Sequence, residues 1–329
     1  MRMRLKGVLA ATAAFCALGL PAAGRAASCT TQSEMQAPDR DAIASAGQRL
    51  ASAVVQQDFG TLQGSLLSMV TQQWQGIREA VEQGAPEVKG GQANLRAIYM
   101  LDASSQAATA DTQFFCSSGN GSLTVTMSMS SLPPGKYAVV LADVVGNPMA
   151  GQIGFILGQE ANAWKLGGVF VRPGSLDGHD NVWYWQRARE LARSSDPWGA
   201  YFCYEASRYL ALPVDFISSN NLDRLQQEQA QIKSGPAEAF PYSVTAGDRS
   251  WKIQSIRFDP VLRQADLGVT YESAGVTDSA AQRTEATAVL GALLKAKPGL
   301  RQAFHGLWAY SSNAGKVTPV MELPMSQIP

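Results

Sequence analysis

The sequence is poor in the residues that carry most enzyme chemistry. It holds two histidines, His179 and His305, and four cysteines in 329 residues. Two imidazoles leave no room for a histidine-rich metal centre, and the absence of a C-x-x-C pair removes the usual zinc, haem and dithiol signatures. No Gly-x-Ser-x-Gly elbow occurs, and Gly90-Gly91 and Gly167-Gly168 stand alone. Neither an α/β-hydrolase nucleophile nor a phosphate-cradling loop is therefore written in the chain. Charged residues make up only 16% of the total, balanced at 27 basic and 27 acidic. Without a basic stripe there is no electrostatic footprint for nucleic acid or anionic lipid. Beyond the first thirty residues no apolar run is long enough to cross a bilayer; Tyr137 to Val145, the most hydrophobic, is strand-length.

What is there begins with an address. Arg2, Arg4 and Lys6 precede an uncharged apolar run from Gly7 to Leu20, Pro21 breaks it, and small residues follow to Ala27. That pattern predicts a signal peptide over residues 1–27 and a mature protein exported to the periplasm or the exterior. Cleavage removes four basic residues and no acids, leaving a mildly acidic chain. An oxidising compartment permits a disulfide, and with Cys16 in the leader the candidates are Cys29, Cys116 and Cys203. The expected bridge joins Cys29 to Cys116, stapling the amino terminus to a strand. Cys203, flanked by Tyr201, Phe202 and Tyr204, reads as a buried free thiol. An alternative makes Cys29 a lipidated terminus, since Ala26-Ala27-Ser28-Cys29 echoes a lipoprotein processing box.

Periodicity predicts an α+β fold. After a loose arm over 28–38, Ile43, Ala46, Leu50 and Val54 share one helical face, and Leu62 through Val81 continue as one longer amphipathic helix ended by Gly84-Ala85-Pro86. The period then switches to two. Leu95, Ala97, Tyr99 and Leu101 alternate, and Ser122 to Ser130 alternate hydroxyl with apolar residues, a half-buried strand. Tyr137–Val145, Gln152–Leu157 and Trp164–Val171 extend an antiparallel sheet, giving a helix-plus-curved-sheet domain over 39–172. Helix, Asp58-Phe59 step, helix and curved sheet resemble the nuclear transport factor two-like superfamily, with its ketosteroid-isomerase-like and polyketide-cyclase-like members. That resemblance implies a cone-shaped sheet around a pocket and carries no catalytic residue across. Residues 173–235 read as a helical hairpin spacer with a third helix, and 236–329 as a small α+β module.

Candidate chemistry is sparse. Asp143 sits amid β-branched residues; buried, it could serve as an acid or base, whereas strand alternation would turn it to water. Tyr99, Asp102 and Trp164 are the other polar or aromatic candidates for a pocket in the first domain. His179, between Asp177 and Asp180, could join them on a metal or water, but Asp177-Gly178 is a turn dipeptide and Asp180 a helix cap. His305 follows a helix end with no acidic neighbour in sequence. Trp183, Trp185 and Trp198 concentrate on the hairpin, as a docking surface or as core. No cofactor or metal is expected. The expected role is a non-catalytic binding or interaction module, its partner an envelope protein or a small apolar ligand; a pocket isomerase or cyclase and an envelope assembly factor are the alternatives.

Overall fold

The computed structural model describes residues 27–117, 123–146, 150–273 and 275–329. The expected leader, but for Ala27, and Ser122 at the start of the expected alternating strand lie outside the described residues. The fold is mixed α+β. No helix among the described residues is long and apolar enough to cross a membrane.

The first unit opens with strand β1 (Ser28–Thr31), helices α1 (Ala37–Gln56), α2 (Phe59–Gly64), α3 (Trp74–Gln83) and α4 (Ala85–Val88). Six strands follow: β2 (Gln92–Asp102), β3 (Ala110–Ser117), β4 (Thr124–Leu132), β5 (Lys136–Val145), β6 (Gly151–Glu160) and β7 (Ala163–Pro173). A five-stranded antiparallel sheet has the order β1-β2-β5-β6-β7. Its central strand β5 is apolar at nearly every position because both faces are covered. Ala138, Val140, Ala142 and Val144 pack with α1, whereas Tyr137, Val139 and Leu141 meet the residues of a second sheet. Helix α1 lies close: a Cβ on Gly47 would come within 2.8 Å of Val140 Cγ1. Its stripe of Ile43, Ala46, Leu50 and Val54 is buried as the spacing predicts.

Two expectations fail here for identifiable reasons. Residues 28–38 are not a loose arm, since β1 pairs with β2 and the Cys29–Cys116 disulfide locks it in place. That bond also occupies the sulfur that lipidation of Cys29 would need. The single helix over Leu62–Val81 is broken into α2, a 3-10 turn at Ser68–Gln73, and α3. The sheet edge competes for its backbone: Leu67 N donates to Leu166 O, and Leu166 N to Ser65 O, both at 2.8 Å.

Next come α5 (Asn181–Arg193), α6 (Pro197–Ala211), β8 (Ile217–Ser219) and α7 (Asn220–Ala230). Strand β8 returns to the first unit and completes the sheet β3-β4-β8. The C-terminal part comprises β9 (Tyr242–Ala246), β10 (Arg249–Phe258), β11 (Asp266–Glu272), α8 (Ser279–Ala296), α9 (Leu300–Ala303), β12 (Gly306–Asn313) and β13 (Lys316–Pro324). Its sheet has the order β13-β12-β11-β10-β9, with β11 and β12 parallel and joined through α8. The hairpin expected as a spacer shares one core with this sheet: Tyr184, Trp198 and Phe202 bury with Ile253, Leu267, Tyr271, Leu290 and Leu307.

Candidate functional site

Two hollows of ≈ 540 and ≈ 520 Å³ adjoin at the first sheet, and both are lined by Arg96, Ala97, Tyr99, Leu123 and Val125. A bulge in β2 between Leu95 and Ala97 sets the waist of this cleft, and Arg96 is the extra residue there. One hollow runs toward Thr31, Arg40 and Cys116, so the disulfide forms part of its wall. The other runs beneath Val182 and Trp185 of α5, Leu210 and Ala211 of α6, and Leu222 and Leu225 of α7, over Leu141 and Ile217. Each hollow alone is within the range of small-molecule sites. Burial raises the pKa of the Tyr99 phenol, and the neighbouring Arg96 acts in the opposite direction. Gln152 also lines the cleft, but its amide nitrogen is committed to Pro173 O and Leu210 O.

Of the four residues expected in a pocket, only Tyr99 lines the cleft. Asp143 stands beside it as the partner of Arg96 at 2.9 Å, with its side chain 46% exposed, so it is not a buried acid. Asp102 accepts from the backbone N–H of Ser104 at the end of β2. Trp164 is packed in the core on the α1 side of the sheet.

The hairpin aromatics do not form one surface. Trp198 is buried against Phe240 and Tyr242. Trp185 donates its indole N–H to Glu228 from a half-buried position. Trp183 is exposed and stacks on His179 at 3.7 Å. The Asp177–Asp180 segment is built for structure. Asp177 accepts from Ala265 N, His179 exchanges backbone bonds with Leu176, and Asp180 caps α5 through Trp183 N. Cys203 is a buried free thiol, its pKa pushed up to about 12 by burial.

Sequence reading missed two charge clusters. Glu228 accepts two bonds from Arg189 and one each from Trp185, Arg224 and Tyr204. The Arg189 guanidinium foremost holds its carboxyl at about 2. Only the Arg224 spacing of i,i+4 was visible in sequence; Arg189 lies 39 positions away.

The second cluster supplies His305 with the acid that its sequence neighbours lack. Its Nδ1 lies 3.0 Å from Asp266 Oδ1, and its Nε2 3.0 Å from the Gln264 amide. Pairing of β12 with β13 brings Glu322 alongside. Burial raises the pKa of Asp266; burial and then the nearby Asp266 raise that of Glu322. The Trp308 indole pulls Asp266 the other way, yet neither its Nε1 nor Asp266 Oδ2 completes a hydrogen bond.

No protein-family profile, no curated protein and no solved structure matches this chain.

Proposed function

We propose that the protein is an exported, non-catalytic binding protein that holds an elongated, mainly apolar small molecule in the cleft between the first sheet and helices α5, α6 and α7. The observation that carries this reading is the adjacency of the two hollows, which share Arg96, Ala97, Tyr99, Leu123 and Val125 in their linings. An apolar body would lie along Ala97, Val125, Leu141 and Leu225, and an anionic or carbonyl group would meet the Arg96 guanidinium. The described lining residues include no carboxylate, imidazole or free thiol; the Tyr99 phenol and the hydroxyls of Thr31, Ser33 and Ser219 are among the polar groups that accompany Arg96. Export is supported by the leader-like amino terminus together with the Cys29–Cys116 bridge. A docking role for the hairpin aromatics has less support, because Trp198 is buried and Trp185 is tied to Glu228.

Anilinonaphthalene sulfonate, an apolar body bearing one anion, is a suitable probe. We expect saturable binding at one site per chain. Ala97→Trp, which fills the waist, should weaken it by about 10-fold or more with an unchanged far-ultraviolet spectrum. Leu123→Trp, at an exposed position on both hollows, gives a second reading should the first variant misfold. Binding that is indifferent to both substitutions would sink the assignment.

A further inference from the structure

Away from the cleft, the carboxyl end of the chain gathers three ligand-type side chains, two of them carboxylates with a buried oxygen that completes no hydrogen bond. We propose that Asp266, His305 and Glu322 bind one divalent cation of the zinc class. One donor atom from each residue lies within 4.8 Å of the other two. A tetrahedral zinc shell, with bonds of about 2.0–2.1 Å, sets its ligand atoms about 3.4 Å apart, so the three donors would draw closer together on the metal.

Three independent features mark it as more than a cluster of acids. Asp266 is fully buried, and its Oδ2 completes no hydrogen bond although the Trp308 indole lies near the carboxylate; Glu322 Oε1 is likewise buried without one. Such orphaned carboxylate oxygens are costly inside a protein unless a cation or donor meets them. An imidazole completes the set, which selects a borderline transition metal over calcium or magnesium. Finally, the residue facing the gap is Gly306. A Cβ there would come within 2.7 Å of Glu322 Oε1 and 3.0 Å of Asp266 Oδ1, so any larger residue would intrude between the two carboxylates.

The backbone holds these groups in place. Asp266 opens β11, Gly306 lies beside it in parallel register, and His305 immediately precedes Gly306, with its N–H donating to Ala265 O. Gln264 places its amide nitrogen on His305 Nε2; with Nδ1 on the metal the amide would turn over to present its oxygen to the Nε2 proton and so orient the ring. Three protein ligands leave the fourth position to water, and His305, 29% exposed in its side chain, marks the open side.

The test uses the full chain, stripped with a chelator and titrated with Zn²⁺ against a chromophoric competitor. We expect one zinc per chain, not displaced by excess Mg²⁺ or Ca²⁺, and a Co²⁺ derivative with the visible absorption of a four-coordinate site. Glu322→Gln and His305→Gln should each lower zinc affinity at least about 10-fold, whereas His179→Gln should leave it unchanged. Absence of stoichiometric uptake, or uptake that survives both His305→Gln and Glu322→Gln in folded protein, overturns the proposal. In that event the three side chains form a proton-sharing pair and neighbour with no cation.

Discussion

Glu228 gathers its partners from three helices, α5, α6 and α7, and its ionisation contributes to stability in a definite pH window. Its carboxyl sits at about 2 in the folded chain against an ordinary 4.5. A depressed acid stabilises the fold above its unfolded value, and the contribution is lost as pH falls toward the folded one. Arg224 is 67% and Arg189 34% exposed in their side chains, so solvent screening reduces the effect to about 1–2 kcal/mol. Glu228→Gln should therefore be less stable than wild type by that amount above pH about 4.5, and the two should converge as pH approaches 2. Urea denaturation across that range measures it, and a gap that persists at low pH would exclude the ion pair as its source. At this scale the sequence was readable wherever the partner was local. Asp180 as a cap and Cys203 as a buried thiol follow from their neighbours, whereas Arg189–Glu228 and Asp266–His305 join residues 39 positions apart.

Secondary elements were legible where one residue pattern determined one environment. Alternation predicts the exposure of β4, where Val125, Met127 and Met129 are buried while Ser128 and Ser130 face water. Five helices begin at a side-chain cap, and for α5 the Asp180 carboxylate accepts from Trp183 N at 2.8 Å. Asp180→Ala should cost about 1 kcal/mol, read as a shift in the denaturation midpoint with an unchanged slope. The broken run over Leu62–Val81 was illegible for a physical reason. Its spacing suits a helix throughout, and only the edge of β7 draws the backbone at Ser65 and Leu67 away. Strand β1 was hidden likewise, since four residues carry too little alternation to register, and their pairing with β2 is tertiary.

For the whole molecule, the cleft was the least legible feature, because its lining comes from α1, β2, β3, β4, β5, β6, β8, α5, α6, α7 and the chain around β1. Modular organisation without a catalytic constellation left a binding role as the expectation and did not locate it; of the pocket candidates Tyr99 alone lines the cleft. The disulfide tightens this assembly across 87 positions of sequence. Reduction should lower stability by about 2–5 kcal/mol. Amide exchange should then quicken in β1 and β3 and stay constant in β11 and β12; uniform quickening would mean that the bridge supports the entire fold rather than one wall of the cleft. Strand β8 has a different consequence. Because three residues from beyond the hairpin close the edge of β4, severing the chain at 172 would leave that edge bare, hungry for any passing strand. Such a fragment would seek its missing piece from a sibling, and the natural product of halving this protein is an exchanged dimer or a precipitate.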